Sequence, residues 1–208
     1  MFHGVFVTGT DTGVGKTVVS AALLHRYRHA HLVRYWKPVQ TGTDEDDDTA
    51  TVRRLTGCSA REVFPPGVRL PHPLSPHVAA RLSGTTIALD DLLTLASAQP
   101  ASEFWIVEGA GGVLVPLNDR AVIVDLAVEL AIPVLVVART TLGTINHTLL
   151  TLEALRARSL TIAGVVMVGD PNPDNRQAIE QYGGVAVLGE LPRLSPLTSD
   201  ALRNAAAA

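Results

Sequence analysis

The chain of 208 residues has little of several features that mark special classes of protein. Its single cysteine, Cys58, excludes an internal disulfide and a thiolate metal cluster within one chain. No stretch reaches the roughly 18 apolar residues that a membrane-spanning helix needs. The N-terminal residues also lack the charged start and apolar run of a secretory signal. We therefore expect a cytoplasmic protein with no membrane partner.

Positive charge is scarce as well. The 17 Lys and Arg residues against 20 Asp and Glu residues give a net charge of -3, so no basic stripe is available for nucleic acid. A hydrophobic content of 47% indicates a large core, and the length fits one domain over residues 1–208, because a single core can grow to roughly 250 residues. The Ala-rich end, residues 199–208, predicts a frayed last helix or a disordered tail.

Continuous apolar runs rich in Val and Ile predict strands that are covered on both faces. These runs are residues 4–8, 32–36, 104–107, 134–138, 162–168 and 185–188. Helical spacing occurs at residues 16–27, 49–55, 78–82, 89–98, 122–130, 145–158 and 175–182. Gly and Pro predict loops at residues 9–15, 38–48, 109–116 and 169–173, and an irregular excursion at 65–76. Strands alternating with helices predict a three-layer α/β/α fold with a mostly parallel sheet.

The strongest local motif is Gly-Thr-Asp-Thr-Gly-Val-Gly-Lys-Thr at residues 9–17. It lies directly between the first predicted strand and the first predicted helix, so its backbone N–H groups and the helix dipole converge where phosphate oxygens can bind. This is the P-loop arrangement, in which Lys16 reaches the β and γ phosphates and the Thr17 hydroxyl binds Mg²⁺. The predicted ATP contacts here are Gly13, Val14, Gly15, Lys16, Thr17 and Val18.

The usual form of this loop carries a glycine where the chain has Thr10. The loop instead resembles the deviant Walker A loop of the ParA, MinD and nitrogenase iron protein group. The signature lysine of that group would fall at Asp11 and is missing here. The alternative reading is that the glycines and the lysine only form a tight strand-to-helix turn.

A second lysine, Lys37, ends the second predicted strand. Because ligands in such sheets bind at the carboxyl ends of the strands, Lys37 is expected to face the phosphate loop and to replace the missing signature lysine. A solvated strand end is the alternative reading of this position.

Carboxylates follow two of the predicted strands. Residues 44–48 are five consecutive acids, most of which are expected to be solvated. Asp48 opens a predicted helix and is the candidate Mg²⁺ ligand. Glu108 ends the third strand in the layout of a Walker B motif and is predicted to bind Mg²⁺ together with Thr17. The glycine-rich segment after it predicts backbone contacts to the γ phosphate from Gly109, Ala110 and Gly111.

Five motifs together resemble the dethiobiotin synthetase family over nearly the whole chain. They are GTDTGVGKT, KPVQTG, VEGAGGVLVPL, LGTINHTLLTLEAL and LGELP, in the order and at about the spacings of that family. The resemblance implies an enzyme that uses Mg²⁺, ATP and CO2 to close a cyclic urea on 7,8-diaminononanoate. A carbamate and a carbamic-phosphoric anhydride are the implied intermediates, and dethiobiotin, ADP and phosphate are the products.

The resemblance also implies site residues. Lys16 and Lys37 would be catalytic, stabilising the carbamate and the transferring phosphoryl group, and Thr12 and Thr41 would contact the substrate. The start of a later helix would reach the carboxylate tail of the substrate across a homodimer interface, through Leu142, Gly143, Thr144 and Asn146. His147 is interpreted as a capping or packing residue and is left out of catalysis.

The adenine site departs from the family pattern. Where many members carry an Asn to read adenine, this chain has Asp170, whose carboxylate only accepts hydrogen bonds. Asp170, Pro192 and Arg193 remain the predicted contacts to the base, and the base preference stays open.

Two other classes of function are compatible with such a phosphate loop. One is another enzyme of the same fold, such as an amidating synthase domain or a kinase, but the short chain lacks a glutaminase domain. The other is a nucleotide switch of the ParA or MinD kind, against which Asp11 and the lack of a basic amphipathic tail both argue.

Overall fold

A parallel sheet forms the middle layer of the molecule. The computed structural model describes residues 3–100 and 102–207. Its strands are β1 (His3–Gly9), β2 (Val33–Trp36), β3 (Val39–Thr41), β4 (Val63–Phe64), β5 (Val68–Leu70), β6 (Phe104–Gly112), β7 (Val134–Arg139), β8 (Ile162–Val168) and β9 (Val187–Leu191). The main sheet has the order β4-β2-β6-β1-β7-β8-β9, and β3 pairs with β5 in a separate ribbon. All of these strand pairs are parallel.

Helices cover both faces of this sheet. They are α1 (Lys16–Tyr27), α2 (Asp48–Thr56), α3 (Pro76–Leu82), α4 (Leu89–Ser97), α5 (Ile123–Leu130), α6 (Thr144–Arg156), α7 (Pro173–Gly183) and α8 (Ser199–Ala207). Successive residues of a strand point to opposite faces, so Val5 and Val7 join the core beneath α1, α2 and α8, whereas Phe6 joins the core beneath α3 to α7. The predicted three-layer fold is confirmed. In the part of the chain that the structure describes, no helix is long and apolar enough to cross a bilayer.

The central strand β1 brings the phosphate loop to the middle of the sheet. It is flanked by β6 and β7 and has three strands on either side. The loop that follows β1 therefore opens at the carboxyl ends of the strands, where the chain turns outward on both sides and leaves a crevice. Residues at the ends of β2 and β6 meet the loop there.

Several segments predicted as loops are strands. Residues 109–112 continue β6, because Gly112 still pairs with Gly9 after a register shift. Gly109 packs against the ring of Phe6, and a Cβ atom there would lie 3.0 Å from that ring. β3 and β5 lie inside the predicted loop 38–48 and the predicted excursion 65–76. Both are three residues long and held by backbone pairing with each other, which local composition does not reveal.

Of the two readings of the end of the chain, a frayed last helix or a disordered tail, the described residues match the helix. The structure has a helix, α8, that packs on α1 and α2, and Leu202 is fully buried in the core on that face. The Arg26 side chain also donates to the Ala206 carbonyl oxygen at 3.1 Å. Apolar contact from Leu202 therefore stabilises a segment whose composition alone suggests fraying.

Substituting Leu202→Ala tests whether α8 is part of the folded core. Removing a fully buried Leu side chain is expected to lower the free energy of unfolding by about 2 to 5 kcal/mol, as measured by urea denaturation. The control is Asn204→Ala on the exposed face of the same helix, which should change stability by less than about 0.5 kcal/mol. Equal stability of the two variants would mean that α8 is not docked in solution.

Candidate active site

The phosphate loop has the backbone that its glycines predict. Gly13 and Gly15 have φ angles of 70° and 101°, in the left-handed region that favours glycine. A side chain at Gly15 would also meet Val168 at 3.0 Å. Gly15 caps α1 without a side-chain hydrogen bond, so the first N–H groups of the helix are left for an incoming acceptor. The loop is therefore built to bind an anion.

Lys16 folds back over this loop. Its ammonium donates to the Asp11 carbonyl oxygen at 3.0 Å, and its side chain is largely buried. Burial, and after it the positive charge of Lys37, lowers the pKa of Lys16 from 10.5 to about 8. The carboxylate of Asp11, at the position where the deviant Walker group has its signature lysine, pairs with Arg139 at 2.7 Å instead.

Four residues from four elements meet beside the loop. The Lys37 ammonium lies 2.6 Å from Asp48 Oδ2 and 2.9 Å from Glu108 Oε1, and it donates to the Gly109 carbonyl oxygen at 3.0 Å. The Thr17 hydroxyl lies 2.7 Å from Asp48 Oδ1 and 3.0 Å from Glu108 Oε1. The sequence placed these side chains near one another, and the structure brings them into direct contact.

The ion pairs keep this cluster charged. Burial alone would lower the pKa of Lys37, but Glu108 and Asp48 raise it above its ordinary value. Burial would likewise raise the pKa of Asp48, but Lys37 and the hydrogen bond from Thr17 lower it. The ammonium and its partner carboxylate therefore stabilise each other's charged forms.

Two residues that sequence reasoning missed hold the carboxylates in place. The Tyr35 hydroxyl donates to Glu108 Oε2 at 3.0 Å, and burial followed by the charge of Glu108 raises the pKa of Tyr35 well above its ordinary value. Gln40 Oε1 accepts from the Asp48 backbone N–H at 3.3 Å, and Gln40 Nε2 donates to the Asp46 carbonyl oxygen at 3.4 Å. The sequence signal for Tyr35 was its position before Lys37, and that for Gln40 was its place in the KPVQTG motif.

Helix α2 fixes Asp48 at its first turn. The N-cap is Asp47, whose carboxylate accepts from the backbone N–H groups of Thr49 and Ala50 at 2.8 and 3.1 Å. Asp47 is therefore used to start the helix, which leaves Asp48 to point at Thr17 and Lys37. Of the five acids in the run, Asp48 is the one that enters the cluster, as the sequence predicted.

The cluster lies at the bottom of a cavity of about 750 Å³. The predicted site residues that line it are Thr12, Gly13, Gly15, Lys16, Thr17, Val18, Lys37, Thr41, Asp48, Glu108, Ala110 and Gly111. Val14 is instead buried in the core beneath α1. Residues 73–76 form another wall, which gives the proline-rich excursion a place at the site.

The start of α6 is not part of this cavity. Leu142 is fully exposed, and the Thr144 hydroxyl donates to the Arg139 carbonyl oxygen at 2.6 Å. Gly143 caps the helix with a φ of 92°. A shallower cavity of about 540 Å³ separates the phosphate loop from α6 and is lined by residues that include Thr12 and His147. Within one chain, Leu142, Gly143, Thr144 and Asn146 therefore stand apart from the Lys37 cluster.

The predicted base-binding residues follow β8 and β9, on the side of the phosphate loop opposite to the Lys37 cluster. The Gly169 N–H donates to the Leu191 carbonyl oxygen at 3.0 Å, which places the segments of Asp170 and of Pro192 and Arg193 side by side. All three residues are exposed, and none of them lines the main cavity. Because Val168 packs against Gly15, the two segments adjoin the phosphate loop.

The oxygen atoms at Thr17 suit a hard divalent cation. The Thr17 hydroxyl lies within 3.0 Å of an oxygen of each of two carboxylates, Asp48 and Glu108. Among residues 3–100 and 102–207, no group of three or more His, Cys, Asp or Glu side chains could hold a metal ion. A set of two carboxylates is what Mg²⁺ uses when phosphate oxygens and water supply the remaining ligands. Thr17, Asp48 and Glu108 therefore fit Mg²⁺ bound together with a nucleotide.

Comparison with known proteins agrees with the motifs. The ATP-dependent dethiobiotin synthetase of Paramagnetospirillum magneticum is 52% identical over 197 residues, which is 95% of this chain and 91% of that protein. The ATP-dependent dethiobiotin synthetase of Agrobacterium fabrum is 48% identical over 199 residues, covering 96% of this chain and 90% of that protein. This chain belongs to the dethiobiotin synthetase family. A broader family model, AAA_26, described as an AAA domain, matches residues 3–201.

Solved structures show the same fold in proteins that are distant in sequence. The cell division ATPase MinD of Pyrococcus furiosus superposes with a TM-score of 0.63 at 15% identity, covering 99% of this chain and 98% of that one. A ParA family ATPase of Chlorobium tepidum gives 0.61 at 12% identity, covering 100% and 98%. The resemblance of the phosphate loop to the ParA and MinD group is therefore matched by the whole fold.

The chain contains two lysines, Lys16 and Lys37, and both line the main cavity. Labelling lysine with ¹³Cε and ¹⁵Nζ should therefore give two resolved NMR signals. As pH rises, the Lys16 signal should titrate with a midpoint near 8, because burial disfavours its charged form. The Lys37 signal should stay in its protonated position until pH exceeds the ordinary lysine value of 10.5.

Lys16→Arg assigns the two signals by removing one of them. Two signals that both titrate near the ordinary lysine value would contradict the packing of the cluster.

Proposed function

We propose that this protein is a dethiobiotin synthetase, which converts 7,8-diaminononanoate, CO2 and ATP into dethiobiotin, ADP and phosphate. The observation that carries the proposal is the cluster of Thr17, Lys37, Asp48 and Glu108 beside the phosphate loop, in a chain of this family. Because ATP and the diamine are intracellular metabolites, the enzyme works in the cytoplasm.

The reaction proceeds in three steps. One amine nitrogen attacks CO2 and loses a proton, which gives a carbamate. A carbamate oxygen then attacks the γ phosphorus of ATP and expels ADP, forming a carbamic-phosphoric anhydride. The second amine nitrogen attacks the carbonyl carbon, loses a proton and expels phosphate, which closes the five-membered urea ring. None of these steps needs a protein nucleophile, so the site has to supply position and charge.

The two lysines supply the positive charge. Lys16 extends from the phosphate loop and binds the β and γ phosphates. Lys37 approaches from the end of β2 and stabilises the carbamate and the phosphoryl group as negative charge moves between them. Thr12 and Thr41 line the cavity on the same side and contact the diamine or the carbamate.

Mg²⁺ is the proposed cofactor, held by Thr17, Asp48 and Glu108 together with phosphate oxygens. When bound, it neutralises phosphate charge. Lys37 shares Asp48 and Glu108 with this site, so a bound cation would compete with its ammonium for the two carboxylates. An ammonium freed in this way can turn toward the carbamate.

A homodimer completes the substrate site. The start of α6 lies outside the cavity of its own chain, while Leu142 is fully exposed at the tip of the preceding turn. The backbone N–H groups at a helix start bind carboxylates. We assign Leu142, Gly143, Thr144 and Asn146 of one protomer to the carboxylate tail of the diamine bound in its partner.

The adenine base lies next to Asp170, Pro192 and Arg193 in this proposal. The segment pairing between Gly169 and Leu191 supports it, because it sets these residues beside the phosphate loop. The Asp170 carboxylate can accept a hydrogen bond from the adenine amino group, but it cannot donate one to a ring nitrogen. Base selectivity therefore depends on acceptors at this position.

The purified protein, given the diamine, Mg²⁺, ATP and CO2, should form dethiobiotin with one phosphate released per ring. With ¹⁸O-labelled CO2, each phosphate should carry one ¹⁸O atom, because the carbamate oxygen that attacks phosphorus leaves with the phosphate. Mass spectrometry of both products measures this. ATP hydrolysis stimulated by lipid or DNA and not by the diamine would favour a ParA-type switch and contradict the proposal.

Replacing Lys37 by Ala should lower kcat by about 100- to 1000-fold, since it removes the ammonium that stabilises the developing charge. The same change leaves Asp48 and Glu108 facing each other, so the metal-free protein should also lose about 3 kcal/mol of stability. Steady-state kinetics with Mg·ATP and urea denaturation in EDTA measure the two effects.

The control for this substitution is Arg34→Ala, on the same strand but paired with Glu103 away from the cavity. Near-normal turnover of the Lys37 variant would remove Lys37 from the mechanism.

A further inference from the structure

We propose that Tyr35 is a positioning residue that turns the Glu108 carboxylate so that one oxygen, Oε1, faces the divalent cation. The inference rests on the proposed function in one respect, the use of Glu108 as a cation ligand. Tyr35 lies in none of the sequence motifs, and its role would explain a preference of the site for Mg²⁺ over Ca²⁺.

The sheet register brings Tyr35 to Glu108. Tyr35 on β2 lies beside Ile106 on β6, and Glu108 follows two residues later, so its side chain points to the same face of the sheet. Lys37, two residues after Tyr35, shares that face. Tyr35 is fully buried in the apolar core beneath α1 and α2, and its hydroxyl donates to Glu108 Oε2 at 3.0 Å.

The two oxygens of Glu108 therefore have different partners. Oε2 is turned toward the core and the tyrosine hydroxyl. Oε1 is turned toward the cavity, 3.0 Å from the Thr17 hydroxyl and 2.9 Å from the Lys37 ammonium. The carboxylate is itself fully buried, so both oxygens depend on these contacts. Rotating it to bring both oxygens to one cation would break the hydrogen bond from Tyr35.

This arrangement favours Mg²⁺ over Ca²⁺. Mg²⁺ requires near-octahedral coordination and usually takes single oxygens from its carboxylate ligands, whereas Ca²⁺ accepts more ligands and often both oxygens of one carboxylate. A carboxylate restricted to Oε1 suits the smaller ion. Without the Tyr35 hydroxyl, Glu108 can rotate and bind the larger ion through two oxygens.

A phenylalanine would fill the same space in the core, so the hydroxyl is the part of Tyr35 that needs a function. A buried hydroxyl must be hydrogen-bonded, and Glu108 Oε2 is the acceptor that the structure provides. A partner of a ligand that fixes its orientation commonly affects metal affinity as well as geometry. The inference therefore predicts an effect on cation binding beyond any effect on folding.

The test compares Tyr35→Phe with Tyr27→Phe, which removes a hydroxyl from a partly exposed ring stacked on Phe104. Isothermal titration calorimetry measures ADP binding in EDTA, in Mg²⁺ and in Ca²⁺. For Tyr35→Phe, the affinity in Mg²⁺ should fall about tenfold, the affinity in Ca²⁺ should fall less, and binding in EDTA should not change. Tyr27→Phe should match the unmodified protein in all three solutions.

A double-mutant cycle with Glu108→Gln separates positioning from packing. The effect of Tyr35→Phe on Mg²⁺ should disappear when residue 108 is no longer a carboxylate. An effect of the same size in that background, or unchanged affinities in Mg²⁺ and Ca²⁺ for Tyr35→Phe, overturns the inference. These measurements need no diamine. They therefore test the role of Tyr35 even if the protein fails to form dethiobiotin.

A second measurement, on the unmodified protein, tests how Glu108 binds the cation and does not require the Tyr35→Phe variant to fold. Infrared difference spectra, with Glu108→Gln as the subtraction, report the splitting of the two carboxylate stretching bands when Mg²⁺ and ADP bind. The wide splitting of a one-oxygen ligand supports the inference. The narrow splitting of a two-oxygen ligand overturns it.

Discussion

The structure of the site depends on one buried ammonium group held between two carboxylates. Lys37 contacts Asp48 and Glu108 at 2.6 and 2.9 Å, and its side chain and that of Glu108 are almost without solvent. Taking three charges out of water costs several kcal/mol per ion unless each has close partners. Within this trio one positive charge faces two negative charges, and the nearby Lys16 ammonium also interacts with both carboxylates. The site is therefore held together by paired charges, two ammonium groups and two carboxylates.

The fold serves this cluster by bringing together the ends of separate elements. β1 leads into the phosphate loop, β2 carries Tyr35 and is followed by Lys37, β6 carries Glu108, and α2 carries Asp48. Parallel strands end at the same edge, so the side chains meet without any one segment containing the site. Side chains outside residues 44–48 hold this acidic segment and the start of α2 in place. Gln40 hydrogen-bonds to the backbone of Asp46 and Asp48, and the Arg69 guanidinium donates to the Thr49 hydroxyl at 2.9 Å.

The sequence predicted the parts of this structure that have a local signal. Apolar runs predict the central residues of the strands, and glycines between a strand and a helix predict the phosphate loop. Asp48 and Glu108 were predictable because each begins or ends an element. Short strands such as β3 and β5 were not, since their stability comes from each other. The roles of Tyr35 and Leu202 were not predictable either. The neighbouring residues in the sequence do not show that Tyr35 is buried beside a carboxylate or that Leu202 packs into the core.

In the proposed mechanism both lysines converge on the phosphates of a bound nucleotide. Because the chain has two lysines, ¹⁵Nζ labelling with ¹⁵N–³¹P dipolar recoupling in frozen solution measures this directly. The sample contains Mg²⁺, the diamine, CO2 and a non-hydrolysable ATP analogue. Both Nζ signals should be dephased by phosphorus if the two ammonium groups lie against the phosphates. Dephasing of the Lys16 signal alone, with Lys37 unaffected, would contradict it.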